Sequence, residues 1–262
     1  MSFAPKSVET NQSGIHPDLL KLVEKHKQMK YQRPIAKHTK QTFDKLLFEL
    51  KDYSGELILD ACCGVGESTA ALAKRYPEAV VIGVDKSAER LAKHGHYAKG
   101  YLTSDAADSV ERRFWVIQAD LNDFWRLLAD ALTQSFVDTL EYGRIPIQWR
   151  LVKQYILYPN PYPKKAQLGK RWHASPVFPY ILKCTKQIEV RSNWKLYVDE
   201  FAKAANAYNV KMQVTEHNVD NQSSNAFAKA QASRANTAIS PFERKYALGG
   251  QALWTAITCC KG

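Results

Sequence analysis

The chain has no Cys-x-x-Cys pair, and its five cysteines, at 62, 63, 184, 259 and 260, are an odd number. Two adjacent pairs and a single residue give neither zinc-ligand spacing nor a disulfide framework, so no metal is expected and a reducing, cytoplasmic setting fits. No run of about 18 uninterrupted apolar residues occurs, which excludes a transmembrane helix and leaves no membrane partner to expect. The opening residues Met1–Lys6 lack the apolar centre of a signal peptide. Internal repeats are absent. Acid is scarce where base is abundant: from Arg150 to Arg191 nine Lys and Arg stand against one acid, Glu189. A second basic cluster runs from Lys21 to Lys51, and the chain carries a net charge of +11. Such a surface favours a polyanionic partner, and Tyr155, Tyr158, Tyr162, Trp172 and His173 within the basic stretch favour RNA, whose unpaired bases stack on aromatic faces.

What is present is an alternation of short apolar runs and amphipathic stretches. Strands are expected at Glu56–Ala61, Ala79–Val84, Trp115–Gln118, Lys153–Tyr158, Gln187–Arg191, Lys211–Thr215 and Ala252–Thr258. Helical patterns fall at Pro17–Met29, Lys37–Leu50, Glu67–Arg75, Ser87–Tyr97, Asn122–Leu132, Pro176–Thr185 and Trp194–Tyr208. Buried strands alternating with helices imply an α/β fold, a doubly wound, mostly parallel seven-stranded sheet with an N-terminal helical extension. The last two strands have no helical pattern between them, so an antiparallel pair is expected at one edge. Residues 1–52 read as a basic N-terminal arm with helices and 53–262 as the main domain. Residues 1–15 read as disordered, Ser104–Arg112 and Gln134–Gln148 as surface insertions, and Asn218–Ser240 as a long loop.

Asp60-Ala61-Cys62-Cys63-Gly64-Val65-Gly66 leaves the first strand and opens a helix. Gly64 and Gly66 permit a tight turn and close approach of a ligand to the backbone. Asp85 ends the second strand, where an acid can accept hydrogen bonds from a ribose diol, and Asp120 ends the third, where it can meet a base edge. A dinucleotide site would want a third glycine where Thr69 stands, and a pyrophosphate would be poorly served by Asp60. The ammonium and sulfonium of S-adenosylmethionine suit such acids, so that cofactor is preferred to a nicotinamide dinucleotide.

The stretch Leu157-Tyr-Pro-Asn-Pro-Tyr-Pro-Lys-Lys165 ends an apolar strand with three alternate prolines. Each fixes φ and removes a donor, so the strand stops in a stiff loop. Asn160 and Tyr162 sit in that loop, and Lys164, Lys165, Lys170 and Arg171 follow, a set suited to holding phosphates.

These segments together resemble a family. Asp60-x-Cys62-x-Gly64-x-Gly66 is similar to motif I of the seven-stranded methyltransferases, D/E-x-G-x-G-x-G, with Cys62 for the first glycine. Tyr158–Lys165 resembles the F-P-D-P-W-x-K signature of the tRNA (guanine-N7)-methyltransferases. Arg191-Ser192-Asn193-Trp194-x-x-Tyr197 looks like that family's A-T-D-W-x-x-Y, and Ser240-Pro-Phe-Glu-Arg-Lys245 like its T-x-F-E-R-R/K. The order and spacing match over roughly residues 30–260. The resemblance implies a Rossmann-like fold with Asp60, Gly64, Gly66, Asp85 and Asp120 binding S-adenosylmethionine. It implies Asn160, Asn193 and Glu243 orienting a guanine, the lysines and Arg171 holding tRNA or another structured RNA, and methyl transfer to guanine N7. Two signature aspartates are Asn160 and Asn193 here. A non-catalytic RNA-binding relative, or a methyltransferase for another substrate, is the alternative these changes raise.

Blander readings stand beside each role. Asp120 can be a helix N-cap, Glu243 a surface ion-pair acid, and Tyr162 and Trp172 aromatics packed under the loop. Cys62 and Cys63 read as small packing residues. His94, His96 and His173 read as surface residues, and the lysine-rich N-terminal helices as solvated faces or an arm reaching RNA.

Overall fold

A computed structural model describes residues 7–98, 114–219 and 238–259. The insertion expected at Ser104–Arg112 and most of the Asn218–Ser240 loop lie outside the described residues. Two helices, α1 (Leu19–Gln28) and α2 (Lys37–Glu49), precede β1 (Glu56–Ala61), α3 (Glu67–Arg75) and β2 (Ala79–Asp85). Short α4 (Ala88–Leu91) and α5 (His94–Ala98) lead to β3 (Phe114–Gln118), α6 (Leu121–Ala131) and a hairpin of β4 (Phe136–Asp138) with β5 (Arg144–Pro146). The chain continues through β6 (Arg150–Leu157), α7 (Phe178–Cys184), β7 (Ile188–Ser192), α8 (Lys195–Asn206), β8 (Met212–Glu216), α9 (Pro241–Leu248) and β9 (Trp254–Thr258).

The main sheet has seven strands in the order β3-β2-β1-β6-β7-β9-β8. Strands β3, β2, β1, β6 and β7 run parallel, whereas β9 lies antiparallel to both β7 and β8, the edge arrangement expected from the missing helical pattern. The order reverses between β1 and β6. Their carboxyl ends therefore flank a crevice at the topological switch point, where ligands of open α/β sheets bind.

The buried runs divide between two faces because side chains alternate along a strand. Leu57, Leu59 and Ala61 enter one core with Phe43 and Leu47 of α2, Phe124 of α6 and Phe201 of α8, while Ile58 joins Leu72 of α3 and Ile239 on the other. Both faces are covered, as a parallel sheet requires. Leu19 and Val23 of α1 belong to the first core as well.

Four expectations are revised. The helix read at Ser87–Tyr97 is two pieces, α4 and α5, broken at Ala92 and Lys93, and the His94 side chain that opens α5 turns to the Val65 carbonyl, 3.1 Å away. The Gln134–Gln148 insertion holds the β4–β5 hairpin, which buries Ile145. The stretch before β9 contains α9, whose N-cap Ser240 accepts a bond from the Glu243 amide. Finally, residues read as disordered at the N-terminus are tied down, since Gln12 is buried and bonded to Glu200.

Candidate active site

The turn after β1 is built by left-handed backbone. Cys62, Gly64 and Gly66 have φ of 63°, 60° and 74°. The turn is pinned to β2, because the Cys63 amide donates to the Val84 carbonyl at 3.1 Å and the Gly64 amide to Asp85 Oδ2 at 3.0 Å. Asp85 Oδ1 accepts from the Ser87 amide at 2.8 Å and lies 3.6 Å from Arg90 Nη2, so this carboxylate fixes both turns at the cleft it lines. A Cβ added at Gly64 would meet nothing within 4 Å, whereas one at Gly66 would strike the His94 ring. Gly64 thus borders open space that a ligand can approach.

Asp60 is fully buried beneath this turn. Its Oδ2 accepts from Ser68 Oγ at 2.6 Å and Thr69 Oγ1 at 2.7 Å, while Oδ1 has no hydrogen-bond partner. Burial pushes its carboxyl up to about 6 against those two bonds, and the charge of Asp85 adds to the rise. Thr69, expected to hinder close packing of helix on strand, is accommodated by Gly83 of β2, where a Cβ would collide with the threonine side chain. The missing third glycine is compensated across the interface, and Thr69 becomes the second clamp on Asp60.

Asp120 is the N-cap of α6, accepting from the Asn122 amide at 2.9 Å, and it also lines the cleft. Arg33 reaches it at 3.2 Å. Burial opposes its ionisation, but the Asn122 bonds and Arg33 hold its carboxyl below the usual range. The N-cap reading of this residue holds, and its position on the cleft is a separate fact.

The proline loop forms the facing wall. Tyr158 and Tyr162 adopt φ of 48° and 45°, left-handed values costly for non-glycine residues. Asn160 is exposed on the wall, and its Oδ1 accepts from the Tyr162 amide at 3.4 Å. Asn193, at the end of β7, is half-buried, and its Nδ2 donates to Gln251 Oε1 at 2.9 Å. Both asparagines line one cleft of about 580 Å³ with Asp85, Asp120, Cys62 and Lys170. That volume is in the range of a cofactor site. Burial and Asp85 push the Cys62 thiol up to about 12, so it offers no thiolate at neutral pH.

Three assignments change. Arg171 cannot hold a phosphate: it is fully buried, donating to the Tyr162 carbonyl at 3.1 and 3.0 Å and to Glu200. Glu243 lies behind the wall and not in the cleft. It accepts from the Tyr158 hydroxyl at 3.0 Å, Arg191 at 2.7 Å and the Ile239 amide at 2.7 Å. Burial pushes its carboxyl up, but His217, Arg191 and Ile239 outweigh that and hold it at about 2. His173, read as a surface residue, is buried against Glu200. Lys164 and Lys165 are exposed beside the loop, and Lys170 Nζ lies 5.8 Å from the Tyr162 ring centre.

Sequence reasoning missed an aromatic bank on the cleft. Phe242 and Tyr246 of α9 stack with centroids 6.3 Å apart, and Tyr246 lies 5.7 Å from Tyr158. All three line the cleft, as does Tyr31 from the linker between α1 and α2. The spacing of Phe242 and Tyr246, one helical turn apart, was the available signal once α9 was recognised. The linker itself is held by Arg126, which donates to the carbonyls of Tyr31 and Arg33 at 3.1 and 2.6 Å.

The family model described as "Putative methyltransferase" matches residues 54–256. Among curated proteins, trans-aconitate 2-methyltransferase of Deinococcus radiodurans is 55% identical over 54 residues, 21% of each chain. Sterol 24-C-methyltransferase of Saccharomyces cerevisiae is 36% identical over 75 residues, 29% of this chain and 19% of that protein. The match thus spans about a fifth of the length of these relatives. Among solved structures, an antibiotic-related methyltransferase superposes with a TM-score of 0.50 at 12% identity, covering 83% of this chain and 94% of its own. A 16S rRNA methyltransferase gives 0.46 at 13% identity, covering 83% and 94%. The fold is the Rossmann-like fold of class I methyltransferases.

Proposed function

We infer that this chain, which belongs to the methyltransferase family that includes the tRNA guanine-N7 enzymes, transfers a methyl group from S-adenosylmethionine to N7 of a guanine in tRNA. Methyltransferase membership is the premise; the substrate is the inference. One observation carries it. The acids Asp85 and Asp120, the amides Asn160 and Asn193 and the aromatic rings of Tyr158, Phe242 and Tyr246 all line one cleft.

The residues fit the cofactor. The partnerless Oδ1 of buried Asp60 and the open space at Gly64 suit a cationic amino-acid group held close to backbone. Asp85 would accept from ribose hydroxyls, and Asp120 with Asn122 would meet the adenine edge; all three line the cleft. When bound, S-adenosylmethionine supplies an electrophilic methyl: its S–C bond breaks as the N–C bond forms, leaving a neutral thioether and a cationic purine.

Guanine N7 carries no proton, so the reaction needs no general base, and the chain's task is positioning. In this reading Asn160 and Asn193 hold the base edge with neutral hydrogen bonds, and Tyr158, Tyr246 and Phe242 offer faces for a purine or its neighbour. Base–aromatic stacking contributes about 1–3 kcal/mol per base. Lys164, Lys165 and Lys170 would meet the RNA backbone. The amides at 160 and 193 favour a second reading, methyl transfer to another acceptor, because neutral groups bind guanine's N1–H and N2–H₂ less strongly than carboxylates.

The test is incubation of the protein with methyl-labelled S-adenosylmethionine and total tRNA, followed by mass spectrometry of the nucleosides. The expected product is 7-methylguanosine. Labelled RNA with a different methylated nucleoside supports the second reading, and no labelled RNA from any pool sinks the first.

A further inference from the structure

We propose that the N-terminal strap Thr10-Asn11-Gln12, acting through Arg171, is the positioning device of the base-binding loop, so that the site is incomplete without these three residues. The proposal rests on the reading of the proline loop as the base wall.

A loop with prolines at 159, 161 and 163 has few donors with which to hold itself. Its backbone groups are taken up from outside. The Tyr162 carbonyl accepts two bonds from Arg171, at 3.1 and 3.0 Å. The Pro163 carbonyl accepts from Thr10 Oγ1 at 2.7 Å, and the Lys165 amide donates to Asn11 Oδ1 at 3.1 Å. Tyr162 is the residue held at φ 45°, and its amide is the donor to Asn160. The strap and Arg171 therefore fix the backbone on which Asn160 is presented.

Gln12 closes the arrangement. Its Oε1 accepts from Arg171 Nη2 at 3.0 Å and its Nε2 donates to Glu200 Oε1 at 2.6 Å. Arg171, Glu200 and Gln12 thus form a closed ring of hydrogen bonds, all of it buried. His173 and the His16 amide take Glu200's remaining positions, at 3.1 and 2.8 Å. A buried ion pair is tolerated when its other hydrogen-bonding groups are satisfied. Gln12 satisfies both ions at once, although it lies far from them in sequence. None of these groups reaches the turn after β1, so the strap should leave cofactor binding alone.

The test compares wild type with two variants. Thr10→Val with Asn11→Ala removes two exposed bonds and should leave folding intact; Gln12→Met opens the buried ring. Three quantities are read: S-adenosylhomocysteine affinity by calorimetry, single-turnover methyl transfer to tRNA, and amide hydrogen exchange over residues 158–170. Expected are affinity within twofold of wild type, exchange at least tenfold faster in the loop, and a methyl-transfer rate at least tenfold lower at saturating RNA. Unchanged loop exchange in the double variant overturns the proposal whatever the substrate proves to be. Faster exchange with an unchanged rate in active protein overturns it too. If wild type binds S-adenosylhomocysteine and methylates no guanine, the substrate reading fails, and exchange still decides whether the strap holds the loop.

Discussion

Placing a carboxylate at position 160 is the most direct test of how this cleft treats charge. Methyl transfer to N7 turns a neutral purine into a cation, so a nearby negative charge stabilises the transition state more than the ground state. Asn160 is exposed at the cleft wall, so Asn160→Asp adds a carboxylate with little desolvation cost. Two unit charges 4 Å apart interact by about 4 kcal/mol at an effective dielectric of 20, an upper bound that water and Lys170 reduce. Hydrogen bonds to charged groups contribute about 1.5–3 kcal/mol against about 1 for neutral ones. A net gain of about 1.4 kcal/mol corresponds to a tenfold faster single-turnover rate. Asn193→Asp should gain less. Asn193 is half-buried and donates to Gln251 Oε1 at 2.9 Å, and an aspartate there would lose that donor and face the amide oxygen. The assay is single-turnover formation of 7-methylguanosine, with S-adenosylhomocysteine affinity as a control. An unchanged or slower rate for Asn160→Asp, with affinity intact, would refute the argument that charge at this position limits guanine methylation.

Acid should unfold the protein early, because Glu200 and Glu243 are held at about 2 against an ordinary value near 4.5. A depressed carboxylate contributes stability that is present above the unfolded value and lost as pH falls, so unfolding free energies from urea titrations should drop between about pH 4.5 and 2, by about 3 kcal/mol for each acid. A flat profile across that window would contradict the buried ion pairs. Gly64→Ala should lower S-adenosylhomocysteine affinity at least tenfold while costing about 1–2 kcal/mol of stability, since φ is 60° there and the new methyl enters open space; calorimetry and thermal melts separate the two effects. Lys170→Ala should weaken RNA binding uniformly across sequences and reduce the salt dependence by about one counterion, with no change in melting temperature, as followed by filter binding at several salt concentrations.

Much of the fold was legible because its signals are local. The apolar runs at Glu56–Ala61 and Ala79–Asp85 are bounded by turn residues, and Glu67–Arg75 follows a glycine turn, so element type and order could be read directly. The antiparallel edge was read from the lack of a helical pattern between its two strands, although α9 lies there. Helix α9 escaped because its eight residues, Pro241–Leu248, carry a weak apolar stripe, with only Glu243 buried. The split of α4 from α5 depends on where the His94 side chain goes, which no periodicity encodes.

The candidate site divides the same way. By itself the sequence determined the chemistry on offer: acids at strand ends, glycines where the backbone must turn left-handed, prolines that stop a strand and amides at positions 160 and 193. Those properties belong to single residues and their chain neighbours. Only the tertiary structure decided which charges face solvent and which are internal. Lys170 and Arg171 are adjacent and alike in charge, yet Lys170 lines the cleft and Arg171 is sealed beneath the loop by Glu200 and Gln12. Burying a guanidinium requires partners gathered from remote parts of the chain, and the pairing of Gln12 with Arg171 and Glu200 exists only once α8 and the N-terminal strap have packed against the proline loop.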